Sequence, residues 1–494
     1  MNKKLYLLLA LAATLPGCVE DTGNYDYQPA EQVTPGTVAG IDDTYNIVAL
    51  DSLKITPAID GPEDAYTYAW QAYPVPTQYD SPTYLIGEEK NLKYQVVLPE
   101  GAYEIVLEVK DKELQTCTYV RTTLNVTLEF SQGWFIAKAV GNETDIDFIK
   151  LANGVVYPEI LKSINGERPP GAPVSNGYIS TYYGYEITKP DGTTTTVQDQ
   201  SAFFVTTDED LRVYKAGEIT LLKTFDDAFF ERPAVKRPQA LHLTLDGVVL
   251  MNDGKLHNIA TYSYNFGRFG HPINAGPGDV DLSPFSLRTG LGIFFFDNRS
   301  STLKLFTYPY SALEDLESIP GTDLVYMHEQ EADDGYYGAY ALMKDRSSGD
   351  LSILTFSPVF YLYYGMGPDI IDVPAGSELY GASIFAVSHT NEAIYYSRGD
   401  NKVGYFTVYN AQDTPDIITL PADEHVAFIR HVYNDYMAFE CLAVLANGPT
   451  GWKLYCYNFE GYTPDVQLPA FQTFSGEGEA HSFLYRDVST VTTN

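Results

Sequence analysis

The chain has 494 residues, of which 31 are lysine or arginine and 65 are aspartate or glutamate, giving a formal net charge of −34 at pH 7. Such a charge repels the phosphates of nucleic acids and of anionic membrane surfaces, so we expect neither as a partner. The length exceeds what one hydrophobic core ordinarily organises, and it predicts two or more domains.

The N-terminus has the pattern of a secretory signal. A basic pair, Lys3-Lys4, precedes the apolar run from Leu5 to Thr14 (LYLLLALAAT), and Leu15-Pro16-Gly17-Cys18 follows. An apolar run of this length is typical of a signal peptide and too short to span a membrane as a helix. Because the tetrapeptide resembles the bacterial lipobox, we expect residues 1–17 to be a lipoprotein signal peptide and Cys18 to carry the lipid.

The residues after Cys18 favour a surface lipoprotein. Several acyl chains on one cysteine hold a protein on a bilayer far longer than a single chain does. Val19-Glu20-Asp21 resembles the acidic export signal of Bacteroidetes lipoproteins, and the alternative is a plain acidic tether. Residues 18–39 contain turn formers without apolar periodicity, which predicts a flexible tether. We therefore expect outer-membrane lipid to hold the chain through Cys18, with the protein facing the cell exterior.

Residues 40–130 have the pattern of a small β-sandwich. Tyr103, Ile105, Leu107 and Val109 alternate with polar residues, as in a strand that is buried on one face. The run from Tyr66 to Trp70 (YTYAW) is typical of a central strand whose tryptophan fills the core of an immunoglobulin-like sandwich.

The remaining residues, 131–494, show a repeat of strands and turns. Seven units each contain two apolar runs joined by a turn, and the seventh is a hairpin around Cys441 and Cys456. Residues near the middle of the leading runs after the first unit are separated by 45, 45, 46, 45 and 54 positions: Phe204, Val249, Phe294, Tyr340, Phe385 and Phe439. A period near 45 predicts an all-β chain ending in a β-propeller of seven blades, with eight blades or further β-sandwiches as alternatives. Residues 476–488 are predicted to supply a closing strand to the first blade.

The hairpin in the seventh unit predicts that Cys441 lies opposite Cys456. Export favours oxidation, so the two residues form either a cross-strand disulfide or two separately buried thiols, and both alternatives stay open. The sequence contains no CxxC pair, so we expect no metal bound by cysteine.

Candidate catalytic motifs are few. His328-Glu329-Gln330-Glu331 opens an acidic stretch that we interpret as a solvated loop, and Asp145/Asp147 and Asp279/Asp281 as carboxylates on strand edges or turns. No HExxH or GxSxG motif is present. We therefore predict no enzyme activity, no metal site and no cofactor.

Two tyrosine-rich loops are the better candidates for ligand binding. Their aromatic residues stand beside glycines, and exposed rings of this kind stack on sugars or hold extended peptides. The alternative is that these tyrosines are buried between blades. The candidate residues are Tyr182, Tyr183, Tyr185, Tyr361, Tyr363 and Tyr364.

Several of these segments together resemble a known family. Residues 18–27 (CVEDTGNYDY), Tyr68-Ala69-Trp70, 99–109 (PEGAYEIVLEV) and 133–136 (GWFI) are similar to the PKD-like lipoproteins of gut Bacteroidetes. The resemblance implies a PKD-type sandwich followed by a β-rich region, and an accessory or ligand-binding role beside a SusC/SusD-like importer of glycans or oligopeptides. A propeller enzyme acting on polysaccharide or peptide and a structural or adhesive surface protein are the alternatives.

Overall fold

The computed structural model describes most of the chain after residue 36. The described residues are 37–49, 51–75, 81–182, 185–188, 194–197, 200–244, 247–260, 267–273, 280–289, 292–307, 312–330, 338–357, 367–434, 439–487 and 491–493. The chain divides into two compact units, residues 1–127 and 128–494. Among the described residues, none lies in a helix with the length and apolar character needed to cross a membrane.

The described part of the first unit contains nine strands and one 3₁₀ turn (Glu63–Ala65). The strands are β1 (Val38–Ala39), β2 (Thr44–Val48), β3 (Ser52–Ile55), β4 (Ala58–Ile59), β5 (Tyr66–Val75), β6 (Tyr84–Gly87), β7 (Leu92–Gln95), β8 (Gly101–Asp111) and β9 (Cys117–Thr127).

The first unit is a sandwich around one core. A five-stranded sheet of order β2-β9-β8-β5-β6 shares its core with the two-stranded sheet β3-β7. Trp70 of β5 is fully buried in this core beside Leu53 of β3 and Leu107 of β8. The indole N–H of Trp70 donates to the carbonyl of Glu89 at 3.0 Å, which satisfies its one polar atom. The prediction that Trp70 fills the core is confirmed.

The second unit is also built of strands, with one short helix, α1 (Ile160–Asn165), and 3₁₀ turns at Phe225–Asp227 and Glu378–Gly381 in its described part. Its first half contains β10 (Gly133–Val140), β11 (Glu143–Lys150), β12 (Val156–Tyr157), β13 (Pro173–Tyr182), β14 (Tyr185–Thr188), β15 (Thr194–Val197), β16 (Gln200–Thr207), β17 (Leu211–Lys215), β18 (Thr220–Thr224), β19 (Pro238–Thr244), β20 (Gly247–Asn252), β21 (Lys255–Ala260), β22 (Leu282–Thr289), β23 (Gly292–Asp297), β24 (Thr302–Thr307) and β25 (Ala312–Ser318). Its second half contains β26 (Thr322–Gln330), β27 (Gly338–Asp345), β28 (Leu351–Phe356), β29 (Asp369–Asp372), β30 (Ile384–Val387), β31 (Ala393–Ser397), β32 (Lys402–Thr407), β33 (Gln412–Thr419), β34 (His425–Asn434), β35 (Phe439–Gly448), β36 (Gly451–Tyr457), β37 (Gln472–Gly476), β38 (Glu479–Arg486) and β39 (Val491–Thr493).

Apart from the β14-β15 hairpin, these strands form seven antiparallel sheets in the described part of the unit. We number them in chain order: sheet 1 (β38-β10-β11-β12), sheet 2 (β39-β13-β16-β17-β18), sheet 3 (β19-β20-β21), sheet 4 (β22-β23-β24-β25), sheet 5 (β26-β27-β28-β29), sheet 6 (β30-β31-β32-β33) and sheet 7 (β34-β35-β36-β37). The prediction of an all-β chain is confirmed, and the serial four-stranded sheets are propeller-like.

Sheet 1 contains strands from both the N-terminal and the C-terminal parts of the second unit. Strand β38 pairs antiparallel with β10, with Phe483 opposite Ile136 and Tyr485 opposite Trp134. The prediction that residues 476–488 supply a strand to the first sheet is therefore confirmed. Strand β38 also contacts β34 of sheet 7 and β13 of sheet 2. The first strands of sheets 2 to 7 contact one another in the same serial order, from β13 and β19 through to β30 and β34.

The second strands of the sheets are continuous apolar runs. All six residues of β20 (GVVLMN) and of β23 (GIFFFD) are buried. A strand covered on both faces needs no polar side, so these strands lack the alternation seen in the first unit. The repeat markers Phe204, Val249, Phe294 and Tyr340 all lie in second strands, whereas Phe385 lies in the first strand of sheet 6. The equivalent of Phe385 is in β31, so the period near 45 does not continue through sheet 6.

A buried ion pair in sheet 1 is hydrogen-bonded to sheet 7. Lys138 Nζ lies 2.9 Å from Asp147 Oδ1, and both side chains are almost completely buried. The indole N–H of Trp452 donates to Asp147 Oδ2 at 2.9 Å, and the backbone N–H of Glu159 donates to Oδ1 at 2.8 Å. Asp145 is also fully buried and accepts from the backbone N–H of Leu161 in helix α1. The interpretation of Asp145 and Asp147 as ordinary carboxylates on strand edges or turns is wrong, because both lie within β11 and are buried.

Candidate functional site

The first strands of neighbouring sheets run in the same direction. In sheets 5 and 6, Tyr326 stacks on Phe385 with ring centroids 5.3 Å apart. Further along both strands, Gln330 Nε2 donates to the carbonyl of Asn391 at 2.9 Å. Strands β19 and β22 also run in the same direction, because His242 contacts Ser286 and the next residue, Leu243, accepts from Arg288 further along β22. The C-terminal ends of these first strands therefore lie at one end of the unit.

That end gathers side chains from five sheets into what we call the inner-strand cluster. Arg288, Arg430, His328 and Tyr433 are partly exposed, whereas its other members are buried. The members are His242 (sheet 3), Arg288 (sheet 4), His328 and Glu329 (sheet 5), His389 (sheet 6), and Arg430, His431 and Tyr433 (sheet 7).

The pair Arg288 and Glu329 joins sheets 4 and 5. Arg288 Nε lies 2.7 Å from Glu329 Oε1, and the backbone N–H of Arg288 donates to Oε2 at 3.0 Å. Burial acts to raise the pKa of Glu329, but the Arg288 guanidinium and His328 outweigh it and hold the pKa at about 2. Glu329 is therefore a buried carboxylate behind a partly exposed guanidinium, and its interpretation as part of a solvated loop is wrong.

His431 is held in one tautomer by its neighbours. The backbone N–H of His389 donates to His431 Nδ1 at 2.9 Å, so the proton of the neutral ring is on Nε2. Nε2 in turn donates to Glu440 Oε1 at 3.0 Å. Burial lowers the pKa of His431, although Glu440 opposes the shift, and the hydrogen bond from His431 lowers the pKa of Glu440.

Ser388 completes a hydrogen-bonded chain of serine, histidine and carboxylate. Its Oγ lies 3.2 Å from His431 Nδ1. The order resembles a nucleophile, a base and an orienting acid, but Ser388 is fully buried. The chain of hydrogen bonds therefore fixes the His431 ring beside His389, and it does not present a nucleophile to a substrate.

Side chains of three other sheets act on His389. Its ring lies 5.1 Å from that of His431 and 6.3 Å from that of Tyr433, measured between centroids. Burial lowers the pKa of His389 well below its usual value, and His431, His328, Arg430 and Arg288 lower it further. His389 is therefore a neutral, buried ring.

His242 lies at the sheet 3 side of the cluster. Its Nδ1 lies 2.7 Å from Ser286 Oγ, and its ring meets Phe295 edge-on at 5.1 Å. Within the described part of the chain, Nε2 has no hydrogen-bond partner. Burial, with Arg288 adding to it and Glu329 opposing it, lowers the pKa of His242 to about 3.

We expect His242→Asn to weaken the acid sensitivity of the protein. An unfolded histidine takes up a proton near pH 6.5, whereas folded His242 does so only near 3, so the unfolded state binds more protons between these values. Stability is therefore complete above pH 6.5 and falls as the pH decreases below it. Between pH 6.5 and 5 the variant should lose about 2 kcal/mol less than the parent chain. Urea unfolding at the two pH values measures this, and equal losses in both proteins would contradict the assignment.

Two exposed tyrosines lie at the same end of the second unit. Tyr409 follows β32 and is 84% exposed, and Tyr462, between β36 and β37, is 99% exposed. Third strands run parallel to first strands in an antiparallel sheet, so both connections leave at the end that holds the cluster. The segment around Tyr462 contacts sheet 6, since the hydroxyl of Tyr405 donates to Asp465 Oδ1 at 3.1 Å. Tyr409 and Tyr462 were not among the predicted tyrosines, because turn tyrosines without neighbouring aromatics leave no distinctive sequence pattern.

The predicted tyrosine sites have different outcomes. Tyr182 is only 2% exposed, and its hydroxyl donates to the carbonyl of Gly267, so its expected exposure is wrong. The ring packs edge-on against Phe204 at 5.6 Å in the core between sheets 2 and 3. Tyr185 begins β14, and its side chain is outside the described part of the structure. The others also lie outside the described residues: Tyr183, Tyr361, Tyr363 and Tyr364.

Cys441 and Cys456 are both free thiols, so of the two alternatives the structure has the buried thiols. The prediction that the two residues lie directly opposite each other is wrong. Cys456 lies opposite Ala443, and Cys441 is therefore diagonal to it across β35 and β36. A hydrogen bond with the Cys456 side chain, together with burial, raises the pKa of Cys441 well above its usual value. The two thiols contribute to the core that contains Trp134 and Trp452.

A separate cavity of about 310 Å³ lies beside sheet 3. Its lining includes Glu231, Asn252, Asp253 and His257, close to the turn between β20 and β21. Turns between second and third strands lie at the end opposite the inner-strand cluster, so the two sites are distinct. Within the described ranges, no group of three or more histidine, cysteine, aspartate or glutamate side chains is arranged to hold a metal ion.

Comparisons with solved structures show weak likenesses over much of the chain. A quinoprotein alcohol dehydrogenase-like protein from Bacteroides thetaiotaomicron is 14% identical with a TM-score of 0.40, covering 93% of this chain and 98% of that one. The WD40 domain of Toxoplasma gondii coronin is 10% identical with a TM-score of 0.38, covering 65% and 78%. Ycf48 from Cyanidioschyzon merolae is 8% identical with a TM-score of 0.39, covering 65% and 95%. Each likeness is too weak to carry an activity over to this chain.

No curated protein matches the chain. The N-terminal part, however, matches a protein family. Residues 18–173 match the PKD-like family, which confirms the PKD-like part of the predicted resemblance over the sandwich and the beginning of the second unit.

Proposed function

We propose that this chain is a surface-exposed outer-membrane lipoprotein that binds a glycan or oligopeptide as an accessory subunit of a SusC/SusD-like nutrient importer. The observation that carries the binding role is the inner-strand cluster, where side chains from five sheets meet at the end of the second unit that also has two exposed tyrosines. Ionisable groups with shifted pKa values that gather in one place are more frequent at functional sites than elsewhere.

The proposed architecture is a seven-bladed β-propeller whose blades are sheets 1 to 7. Two observations support it: β38 joins the C-terminal region to sheet 1, and β38 also contacts the first strands of sheets 2 and 7. Propellers surround a central channel with the first strands of their blades, and loops from every blade converge at the ends of that channel. The inner-strand cluster would then lie at one mouth of the channel, where ligand sites are common.

The proposed location rests on the N-terminal sequence and on the PKD-like match. Residues 1–17 have the pattern of a signal peptide that ends at Cys18, and Glu20-Asp21 follows as an acidic export signal. The PKD-like match begins at the same cysteine. A lipid anchor explains how a chain with a net charge of −34 stays at a membrane surface that repels it.

We expect Cys18→Ala to release the protein from the membrane. In a Bacteroidetes host, the parent chain should incorporate labelled palmitate, sediment with outer membranes and be digested by protease added to intact cells. The variant should incorporate no palmitate. The matched control is Cys117→Ala, which removes a free thiol in the first unit and should leave labelling unchanged.

The transporter role has a direct test in the same strains. Mild cross-linking of intact cells followed by purification through an affinity tag on the chain should recover a SusC/SusD-like pair. Recovery of the labelled lipoprotein without any transporter would refute the importer role. Labelling of Cys18→Ala as strong as that of the parent would refute the anchor.

A further inference from the structure

We propose that the cavity beside sheet 3 is a second binding site, which holds a single neutral sugar unit whose hydroxyl donates a hydrogen bond to His257. The cavity lies at the end of the second unit opposite the inner-strand cluster, so this inference goes beyond the proposed function and does not depend on it. It depends on three features of the described residues: the walls and size of the cavity, a buried acceptor in its lining, and the mixed charge of that lining.

Hydrogen bonds hold the walls of the cavity together. Its lining residues come from three segments of the sequence, within 231–235, 252–257 and 271–272. Asn252 Nδ2 donates to the carbonyl of Val235 at 2.9 Å, and the backbone N–H of Ile273 donates to the carbonyl of Leu256 at 2.8 Å. The volume of about 310 Å³ is at the lower end of the range of small-molecule sites, about 300–1,000 Å³. The cavity is therefore suited to one sugar unit and too small for a longer chain.

His257 supplies a buried hydrogen-bond acceptor to the lining. It is 2% exposed, and its Nδ1 lies 3.0 Å from the carbonyl oxygen of Gly270, which can only accept, so Nδ1 carries the proton. Burial lowers the pKa of His257, so the ring is neutral and Nε2 is an acceptor. No partner for Nε2 is present among the residues that the structure describes. A buried acceptor without a donor costs free energy, and a ligand hydroxyl would remove that cost.

The charged lining residues are of both signs, which favours an uncharged ligand. They are Glu231, Arg232, Asp253 and Lys255. The two carboxylates have partners, since Asp253 Oδ1 lies 2.6 Å from the Arg237 guanidinium and Glu231 Oε2 lies 3.3 Å from His271 Nδ1. An anion would be repelled by the carboxylates and a cation by the basic groups. A sugar hydroxyl both donates and accepts, so it can bond to groups of either sign.

The surroundings of His257 favour a sugar over a free amino acid. Lys255 acts electrostatically on His257 and lowers its pKa further, so the same charge would repel an ammonium group at Nε2. A hydroxyl donates to Nε2 without carrying a charge. The apolar lining residues, which can contact the C–H face of a sugar ring, are Pro233, Ala234, Val235 and Pro272. We therefore infer a neutral sugar as the ligand of this cavity.

Saturation-transfer NMR and calorimetric titration of the full chain test the inference. The neutral probes are glucose, galactose, mannose, xylose and N-acetylglucosamine, and the charged probes are glucuronate, glucosamine and alanine. We expect at least one neutral sugar to bind, and the charged probes to bind about tenfold more weakly than it or worse. Hydrogen–deuterium exchange with the neutral sugar that binds should become slower in residues 231–235, 252–258 and 268–273.

Two variants test the lining groups separately. His257→Asn keeps a donor for the carbonyl of Gly270 and has nothing in place of Nε2, so it should weaken sugar binding about fivefold. Lys255→Met keeps the length of an exposed side chain and removes its donor, and it should weaken binding by a similar factor. His481→Asn is the matched control, because His481 is exposed in β38 of sheet 1 and lies outside the lining. It should bind like the parent chain, and a thermal midpoint for each variant close to that of the parent shows that folding is unchanged.

The outcomes distinguish this inference from the proposed function. Alanine, glucuronate or glucosamine binding as tightly as the best neutral sugar would overturn the neutral ligand. No binding of any probe, or unchanged binding in both His257→Asn and Lys255→Met, would overturn the site itself. None of these results bears on recovery of an importer by cross-linking, which tests the proposed function separately.

Discussion

Asp147→Asn is expected to lower the free energy of unfolding of the second unit by about 3–5 kcal/mol. The substitution leaves the buried ammonium of Lys138 without its carboxylate at 2.9 Å. It also removes the acceptor of the Trp452 indole N–H, since an amide nitrogen in place of Oδ2 accepts no hydrogen bond. The Trp452 indole therefore loses its acceptor, and the Lys138 ammonium loses its nearest negative charge and keeps only the carbonyl of Glu477 at 3.1 Å and the Glu159 carboxylate at 3.6 Å.

Urea unfolding followed by circular dichroism measures the effect as a lower midpoint with an unchanged slope. Asp323→Asn is the matched control, because it makes the same chemical change in an exposed pair with Arg346. Its cost should be below about 1 kcal/mol. Equal effects of the two substitutions would show that the Lys138–Asp147–Trp452 group does not carry the stability assigned to it.

Phe483→Ala is expected to destabilise the second unit by about 3–5 kcal/mol. Phe483 is fully buried in β38 and meets Trp134 of sheet 1 edge-on at 5.4 Å. Its other face meets Phe428 of sheet 7 edge-on at 5.1 Å. One side chain therefore fills the space between two sheets, and the cavity left by alanine would loosen the attachment of β38 to both.

The same unfolding experiment measures this effect, and limited proteolysis should reveal earlier cleavage near β38. Phe471→Ala is the control, because Phe471 lies just before β37 and is 46% exposed. It should change stability by less than about 0.5 kcal/mol. A Phe483→Ala protein as stable as this control would mean that β38 contributes little to holding sheets 1 and 7 together.

Local patterns predicted much of the fold. The alternation in 103–109 and the tryptophan in YTYAW gave strands β8 and β5 and the buried position of Trp70, because a strand covered on one face must alternate. The apolar runs of sheets 3, 4 and 5 were found for the related reason that strands covered on both faces lack polar residues. The pairing of the C-terminal region with sheet 1 was predicted because residues 476–488 could supply a closing strand to the first sheet.

Details of register and period were harder to predict. The Cys441/Cys456 hairpin was located correctly, but its turn is tighter than expected, with Gly448 opposite Gly451. That shift moves Cys456 opposite Ala443 and separates the cysteines by one diagonal. The choice of Phe385 as a repeat marker was wrong for a similar reason. Spacing alone does not distinguish an apolar run in the first strand of a sheet from an apolar run in the second strand.

The candidate site could not be predicted because its members are far apart in sequence. Arg288 and Glu329 are 41 positions apart, and His389 and His431 are 42 apart. Each residue alone looks like an ordinary polar residue on a strand. Glu329 was interpreted as part of a solvated loop, and Asp147 as a carboxylate on a strand edge or turn, for the same reason. Their buried partners become visible only when the strands and sheets are placed together.

Hydrogen–deuterium exchange of the full chain, with and without a saturating oligosaccharide or oligopeptide, tests the central claim most directly. We predict slower exchange at the C-terminal ends of the first strands, in residues 286–289, 326–330, 388–391 and 430–434. Slower exchange confined to residues 231–257 around the separate cavity, or to the first unit, would contradict a binding site at the inner-strand cluster.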